Sequence, residues 1–406
     1  MVNFNAKFTN DGSVGLYSEQ IGDIYHSIYG ALSEAYEKFI FPANLDEFLN
    51  THDEIKILDL CYGLGYNSKS FLNFYFNIYS KKNNFIPHLN NYINSIYTNN
   101  ICNKIFHKIT LHGVDIDKNL LKLSPLISHK KKFINTKKNM NIFSKKNLFN
   151  SRKFFIKDYI NIFIFLNLLE LYKKNYIDKD LHEILANNSN KKFFTLNLAY
   201  LIKKFDLEGY ELSQYECLLA LLHNIYYKYI SNSYKNALKL FKNENIKFRL
   251  YNQDARSFIK STDLTYDYIF LDAFSPTKAP NLWTAEFFGN LYNHLSDDGM
   301  ILTYSNSASI RNAFLKNNFY IGKIFNKYEN RFTGTIATKN ESLIKHKLDN
   351  FEIGLLNTKA GICYHDNAEL TLDDKTILLN RKIACENSNL ISSTKYKKEY
   401  KCSMML

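Results

Sequence analysis

The feature that most constrains this chain is a repeated pattern in which an apolar run, typical of a strand, stops at an aspartate. Helical patterns separate these runs, and strands that alternate with helices predict a mostly parallel sheet with helices on both faces. In such an α/β fold, ligands bind at the carboxyl ends of the strands. We therefore expect the aspartates to gather at one ligand-binding edge. The runs are ILDLCYGLGYN (57–67), LHGVDID (111–117), RLYNQD (249–254) and YDYIFLDAF (266–274).

The first of these runs leads into a glycine-containing turn. Asp59 ends the apolar run, Gly63 and Gly65 follow, and Asn67 begins a helical pattern. Glycine lets the backbone pass close to a ligand where a Cβ atom would collide. The turn has no third glycine and no Lys-Ser/Thr pair, which disfavours a phosphate-binding loop of the P-loop kind. We predict that these four residues bind a cofactor, and an ordinary strand–turn–helix junction is the alternative.

The second run ends at Asp115, with Asp117 as its neighbour. An acidic residue at this place can accept hydrogen bonds from both hydroxyls of a ribose. The interval of about 50 residues after the glycine turn exceeds the roughly 20 that is usual in dinucleotide-binding folds, so we expect an insertion after the first helix. Dinucleotide dehydrogenases share these two features, and an ordinary solvent-facing acid at a strand end is the simpler interpretation.

The third run ends at Asp254, which Ala255 follows. Aspartate is a favoured N-cap residue because its side chain accepts hydrogen bonds from the first free N–H groups of a helix. The position therefore predicts either a helix cap or a ligand-binding acid, and one carboxylate can serve both purposes. Together the acids of the three runs form a stronger signal for a binding edge than any one of them does.

The fourth run ends at Asp272, where Ala-Phe-Ser-Pro takes the backbone abruptly away from the strand. This turn resembles the Asp-Pro-Pro-Tyr element of enzymes that methylate exocyclic amines. Dehydrogenases do not account for it. We predict that Asp272 is catalytic and that Phe274 and Trp283, the single tryptophan of the chain, exclude water or stack on a base. Packing in the core is the alternative for both rings.

The formal net charge of +13 favours a polyanionic partner such as nucleic acid. The abundance of Asn, Lys, Ile, Phe and Tyr, which have AT-rich codons, weakens this inference. Lysine is concentrated in residues 128–157, between Asp117 and Asp158, where the chain has no acid. We predict that this segment contacts RNA, with its interleaved phenylalanines stacking on loop bases. A solvated insertion of biased composition is the alternative.

The six cysteines are scattered, with no CxxC pair and no metal-type spacing, so we expect reduced thiols and no metal site. The N-terminus lacks the apolar core of a signal peptide. The most apolar stretch, residues 159–172, is shorter than the roughly 20 residues of a bilayer span and is expected to be a buried helix. These features predict a soluble, cytoplasmic protein without a membrane partner.

Three regions are expected along the chain. Residues 1–50 should form a lid element made of a hairpin, with its turn at Asn10-Asp11-Gly12, and a helix. Residues 51–340 should form the main domain, interrupted at 118–245 by a helical insertion rich in Lys and Asn. Residues 341–406 are expected to be a polar tail with little regular structure.

Several segments resemble the MnmC-type methyltransferase family, specifically its stand-alone methyltransferase domain without an FAD oxidase domain. The glycine turn carries part of the resemblance, although Cys61 stands where many members have a glycine. The other matching segments are DGSVGLYSEQIGDIYHSIYGALSEAYEKFI (11–40), FLDAFSPTKAPNLWTAEFF (270–288), ILTYSNSASIRNAFLKNNF (301–319) and GLLNTKAGICYHD (354–366).

The resemblance implies a class I methyltransferase fold, with a Rossmann-like sheet, and S-adenosylmethionine as cofactor. It implies a tRNA substrate, methylated at the wobble uridine of the anticodon loop, where 5-aminomethyl-(2-thio)uridine becomes 5-methylaminomethyl-(2-thio)uridine. A separate oxidase would then act upstream. The resemblance also implies that Asp254 and Ala255 lie beside the adenine, and that Tyr25 and Glu34 belong to a lid or contact the cofactor.

Other functions stay open. A spermidine-synthase-like aminopropyltransferase shares the fold, the ribose acid and a catalytic aspartate, and another amine N-methyltransferase would use the same site. The non-enzymatic alternative is a degenerate fold kept as an RNA-binding module. The mass of the product distinguishes methyl transfer from aminopropyl transfer. Failure to bind S-adenosylmethionine would favour the RNA-binding module.

Overall fold

The structure is a computed structural model that describes about three fifths of the chain. These are residues 4–18 except 10 and 12, 23–25, 30–79, 107–126, six positions between 156 and 167, and 240–403 except 241 and 327–329. The segment 128–157 that we predict to contact RNA lies outside the described residues, apart from Ile156. Two compact units are present: the first comprises residues 1–40, 44–55 and 62–252, and the second 41–43, 56–61 and 253–406.

Seven strands form one sheet in the order β6-β5-β4-β7-β8-β10-β9. The pairs β5–β6, β4–β7 and β7–β8 are parallel, whereas β10 runs antiparallel to both β8 and β9. The prediction of a mostly parallel sheet of the class I methyltransferase type is confirmed, and β9 and β10 form an antiparallel pair at one edge. The strands are β4 Glu54–Leu60, β5 Lys108–Asp115, β6 Ile246–Asn252, β7 Tyr266–Leu271, β8 Leu295–Thr303, β9 Tyr320–Asn326 and β10 Arg331–Thr338.

The chain begins with a separate three-stranded antiparallel sheet in the first unit, made of β1 Phe4–Phe8, β2 Val14–Ser18 and β3 Asp23–Tyr25. β1 and β2 pair as the predicted hairpin. Asp11 in its turn accepts hydrogen bonds from Ser13 N (2.9 Å) and from Ser33 N (2.8 Å). One carboxylate thus joins the hairpin to the helix that follows it.

Helices flank the strands along the chain. Some of their N-termini carry a side-chain cap, as at Thr284, whose hydroxyl accepts a hydrogen bond from Phe287 N at 3.2 Å. Among the residues that the structure describes before 341, the named helices are α1 Ala31–Ala35, continued by a π-helical turn Tyr36–Ile40, α2 Leu45–Thr51, α3 Tyr66–Tyr79, α4 Lys118–Leu123, α5 Ala255–Ser261, α6 Ala285–Asn293 and α7 Ala308–Lys316.

The expectation that residues after 340 have little regular structure is wrong. They form α8 Asn350–Leu356, α9 Asp374–Asn387 and α10 Ser393–Ser403. α8 begins with a capping box between Asp349 and Glu352. Glu352 also accepts from the side chains of Arg311 (2.9 Å) and Lys323 (2.6 Å). The region that was expected to be a polar tail is therefore held in place by charged side chains of α7 and β9 in the second unit.

Part of the apolar stretch 159–172 is described. Ile160, Phe163 and Ile164 are helical and buried, as expected for a buried helix. Within the described part of the chain, no helix has both the length and the apolar character that crossing a bilayer requires.

Candidate functional site

The glycine turn and the acid at the end of β5 come together in the first unit. Asp115 accepts a hydrogen bond from Gly63 N at 2.7 Å through Oδ2 and one from Asp117 N at 2.8 Å through Oδ1. The carboxylate is buried, and this burial raises the pKa of Asp115 to about 6. Each oxygen keeps acceptor capacity, because a carboxylate oxygen accepts more than one hydrogen bond. The remaining acceptor capacity is compatible with two ribose hydroxyls, and contact of Asp115 with a cofactor stays a prediction.

The ring of Tyr62 packs against this turn, a contact that was not anticipated from the sequence. Its ring is buried, and a Cβ atom on Gly65 would lie 2.2 Å from the Tyr62 hydroxyl oxygen. A Cβ atom on Gly113 would lie 2.5 Å from the same ring. The glycine inside the apolar run of β5 was the available signal, since such a glycine often marks a close approach of another group.

Lys69, one turn into α3, is fully buried in the first unit. Its Nζ donates to Ser124 O at 2.6 Å, and Ser124 Oγ donates to Leu64 O at 2.8 Å. Burial lowers the pKa of Lys69 to about 7. Through Ser124, this side chain connects the glycine turn with the segment after β5. Nothing in the neighbouring sequence indicates that Lys69 is buried.

Asp59 lies near the end of β4 in the second unit, and Cys61 is the first residue after that strand. Cys61 has a φ of 61°, a left-handed conformation that costs a non-glycine residue about 1 kcal/mol. At Cys61 the turn thus has the backbone geometry that glycine favours. Asp59 is fully buried and lies opposite Phe270 of β7. Contact of Asp59 with a cofactor stays a prediction, as does that of Asn67, a buried residue at the start of α3.

Asp254 is the N-cap of α5, so the capping alternative is confirmed. Its Oδ1 accepts from Arg256 N at 2.7 Å and from Ser257 N at 3.3 Å. The side chain is 28% exposed, which leaves it accessible to a ligand. Ala255 is the first residue of the helix and is buried. Adenine binding by this pair is compatible with the cap and stays a prediction.

Asp272 lies one residue beyond β7, where its backbone N donates to Leu60 O at 3.3 Å. Its side chain is half-buried, and Phe274 is half-buried as well. A tight turn follows, in which Lys278 N donates to Ser275 O at 2.8 Å. Asp272 therefore lies at the start of a structured loop in the second unit. Its place directly after a strand is the one that the sequence predicted.

Trp283 is completely buried, so the idea that its ring stacks on a substrate base is corrected. The ring lies edge-on against Phe288 and Tyr304 and has no exposed face. Its Nε1 donates to Phe274 O at 2.7 Å. Trp283 therefore anchors the loop that carries Phe274, because a buried indole N–H needs an acceptor.

Tyr25 and Glu34 lie in the N-terminal part of the first unit. Tyr25 ends β3 and pairs with Leu16 of β2. Glu34, in α1, accepts from Lys38 Nζ at 2.7 Å one helical turn later. Their predicted lid or cofactor contacts stay predictions. In the described residues, no group of His, Cys, Asp and Glu side chains is arranged to hold a metal ion, and Cys61, Cys363, Cys385 and Cys402 are free thiols.

Comparisons with known proteins match this chain to a methyltransferase family and to parts of two kinds of enzyme. Residues 217–340 match a family model described as S-adenosyl-L-methionine-dependent methyltransferase. The bifunctional protein MnmC of Campylobacter fetus, named for tRNA 5-methylaminomethyl-2-thiouridine biosynthesis, is 32% identical over 89 residues, which are 22% of this chain and 14% of that protein. A polyamine aminopropyltransferase of Lachnospira eligens is 41% identical over 66 residues, 16% of this chain and 23% of that protein.

The fold also has a solved counterpart. The crystal structure of MnmC2 from Aquifex aeolicus aligns with a TM-score of 0.55 at 19% identity, covering 95% of this chain and 86% of that chain. This chain spans less than half the length of the curated relatives that it matches. The resemblance to MnmC-type methyltransferase domains is confirmed by these matches together. They also indicate S-adenosylmethionine as the cofactor.

Proposed function

We propose that this class I methyltransferase domain of the MnmC type methylates the exocyclic amine of 5-aminomethyl-(2-thio)uridine at the wobble position of tRNA. The observation that carries the proposal is the loop after β7, in which half-buried Asp272 precedes a backbone carbonyl that Trp283 holds in place. The name of the Campylobacter relative supports the tRNA substrate. The basic segment 128–157 is our candidate contact for the anticodon loop.

Binding of the donor would fall to the strand ends. Asp115 would accept hydrogen bonds from the ribose hydroxyls, while Gly63 N and Asp117 N hold its carboxylate in place. Asp254 would accept a hydrogen bond from the exocyclic amine of adenine. When bound, S-adenosylmethionine supplies a methyl group already activated on a sulfonium, so the protein has mainly to align the amine and exclude water. In the reaction, the amine R–CH2–NH2 gains the methyl group and loses one proton, leaving S-adenosylhomocysteine.

The amine must be neutral to act as a nucleophile. With a lysine-like pKa of about 10.4, roughly one amine in 2,500 would be neutral at pH 7, a cost of about 4.6 kcal/mol. The nearby uracil ring makes the amine more acidic, so this is an upper bound. The Asp272 carboxylate favours the ammonium form, whereas apolar surroundings such as Phe274 disfavour it. We assign to Asp272 the tasks of orienting the amine and accepting its proton.

The deciding experiment is mass analysis of wobble nucleosides. Cells that lack this protein should accumulate 5-aminomethyl-(2-thio)uridine, and the purified protein with S-adenosylmethionine should add one methyl group to that nucleoside in their tRNA. Unchanged nucleosides in both assays would refute the proposal. An upstream oxidase that exposes the primary amine is part of the proposal and would be needed in the same cells.

Aminopropyl transfer is the second candidate, because the match to the Lachnospira aminopropyltransferase is the most identical of those compared, although it is short. That reaction would take decarboxylated S-adenosylmethionine as donor and add three carbons and a nitrogen to an amine. Incubation with each donor and mass analysis of the product separates the two reactions. Failure to bind either donor would instead favour an RNA-binding module.

A further inference from the structure

The segment that follows residue 361 is bound to α5 and α6 of the second unit by several polar contacts. Ala285 N donates to Tyr364 O at 3.0 Å, and Asp366 N donates to Glu286 Oε2 at 2.8 Å. The Lys260 ammonium pairs with Glu369. The region expected to be a polar tail therefore lies directly against the helix that Asp254 caps.

Arg256 is the centre of these contacts. One of its terminal nitrogens, NH1, donates to Asp366 Oδ2 at 3.0 Å and to Leu372 O at 2.9 Å. Its Nε lies 3.5 Å from Asp254 Oδ1, within ion-pair range. The Asp366 side chain has no exposed surface, and that of Arg256 is 14% exposed. The guanidinium is thus shared between a buried carboxylate and the carboxylate assigned to the adenine.

Asp366 is itself held in a single orientation. Its Oδ1 accepts from Asn367 N at 2.7 Å and from Leu372 N at 2.9 Å, while Oδ2 takes the guanidinium. A buried carboxylate is tolerated when a charged partner and hydrogen bonds compensate its desolvation, as they do here. Because Arg256 has several rotatable bonds, this fixed acid and the carbonyl of Leu372 together determine where the guanidinium lies.

We propose that Asp366 is a positioning residue for adenine recognition: by holding Arg256, it keeps Oδ2 of Asp254 available for the exocyclic amine of the cofactor. The cap and the guanidinium both use Oδ1. An Arg256 released from Asp366 could turn onto Oδ2 and compete with the adenine amine. The inference rests on the proposed function, in which Asp254 binds the adenine.

Asp374 makes the position of this guanidinium more critical. Burial, the largest cause, raises the pKa of Asp374, while the charge of Arg256 acts to lower it and the charge of Asp254 to raise it. Three carboxylates therefore lie within the electrostatic reach of one arginine. Without the charge of Asp366, the arginine would be attracted by Asp254 and Asp374 alone.

The test compares two ligands that differ at position 6 of the purine and in the proton that hypoxanthine carries on N1. S-adenosylhomocysteine carries the exocyclic amine, and S-inosylhomocysteine carries a carbonyl oxygen there. We expect the wild-type protein to prefer the adenosine ligand by about tenfold or more in Kd, the value of one hydrogen bond to a charged group. In Asp366→Asn this preference should fall to about twofold or less, because the affinity for the adenosine ligand alone decreases.

A purely structural role would weaken both ligands together and leave their ratio unchanged, so a preserved ratio in Asp366→Asn overturns the inference. Asp366→Asn combined with Arg256→Gln is the second variant and should regain the ratio, because the guanidinium that would compete for Oδ2 of Asp254 is then absent. Glu369→Gln is the matched control, because it breaks an exposed ion pair between the same segment and α5 and should keep the ratio. Thermal unfolding verifies that each variant is folded.

The wild-type result separates failure of the inference from failure of the proposed function. If neither ligand binds, the cofactor assignment is refuted, and with it the positioning role. If both bind equally well, Asp254 does not recognise the amine, and the role of Asp366 is refuted while methyl transfer stands. Only a wild-type preference that Asp366→Asn abolishes and Glu369→Gln retains supports the inference.

Discussion

The end of β5 in the first unit and the end of β7 in the second both present an aspartate after an apolar strand, yet their surroundings differ. Asp115 is buried and receives a backbone N–H on each oxygen. Asp272 is half-buried and stands before a loop whose backbone is fixed by the Trp283 indole at Phe274 O. In the first case the carboxylate itself is held, and in the second the loop beyond it is held.

The difference separates two tasks. A carboxylate fixed by backbone donors suits a ligand of constant shape, such as the ribose of a cofactor, because no reorganisation is needed on binding. A more exposed carboxylate beside a fixed loop suits a group whose charge changes during the reaction, such as the amine. Substitution of the two acids should therefore affect different measurable quantities.

The largest expected effect is on turnover. Asp272→Asn should lower kcat by about 100-fold or more, because it removes the proton acceptor and the charge that orients the amine. The Kd for S-adenosylhomocysteine should stay within about twofold of the wild-type value. Single-turnover methylation of tRNA and calorimetry measure the two quantities. Asp263→Asn, at an exposed acid just before β7, is the control, and near-normal turnover of Asp272→Asn would contradict the assignment.

The reverse result is expected for the other acid. Asp115→Asn should raise the Kd for S-adenosylhomocysteine by about 10- to 100-fold, since hydrogen bonds to a charged acceptor are lost. At saturating donor, kcat should change by less than about threefold. Asp117→Asn keeps the backbone donor to Asp115 and serves as control. A Kd unaffected by the change at Asp115 would remove this residue from the cofactor site.

The burial of Asp115 predicts a pH dependence of cofactor binding. With a pKa raised to about 6, the carboxyl group is protonated below that pH and then accepts fewer hydrogen bonds. The Kd for S-adenosylhomocysteine should therefore rise as pH falls through about 6, approaching tenfold per pH unit. Calorimetry between pH 5 and 8 tests this, and the bend should be missing in Asp115→Asn. A bend of equal size in that variant would assign the titration to another group.

The smallest effect concerns the loop after β7. Trp283→Phe keeps most of the buried ring but removes the N–H donor to Phe274 O, which should cost about 1 kcal/mol of unfolding free energy. Because the loop then moves more freely, kcat should fall by about three- to tenfold with donor affinity unchanged. Denaturant unfolding and kinetics measure the two effects. Loss of stability without any change in kcat would limit Trp283 to packing.

Sequence patterns predicted the elements that depend on neighbouring residues. Asp115 and Asp272 come at the ends of β5 and β7 because an apolar run sets the length of each strand. Asp254 caps α5 because aspartate favours that place. The capping box of Asp349 and Glu352 was also visible in the sequence and could have predicted α8 in the region taken for a tail.

Other residues could not be assigned because their partners are distant in the chain. Lys69 reaches the carbonyl of Ser124, 55 positions away, and Arg256 reaches Asp366 across 110 positions. Nothing near Trp283 in the sequence indicates that its ring is fully buried. These contacts depend on how the strands and helices associate, which a local pattern does not encode.

The sequence by itself determined an α/β chain with acids at the ends of its strands, because alternation of apolar runs and helical patterns follows from the geometry of the backbone. Only the tertiary structure decided how deeply each acid is buried and which groups lie beside it. Folding removes water from Asp115, places Arg256 between Asp254 and Asp366, and closes the core over Trp283. Desolvation and partners brought from distant positions set pKa values and orientation, and both arise only when the chain is folded.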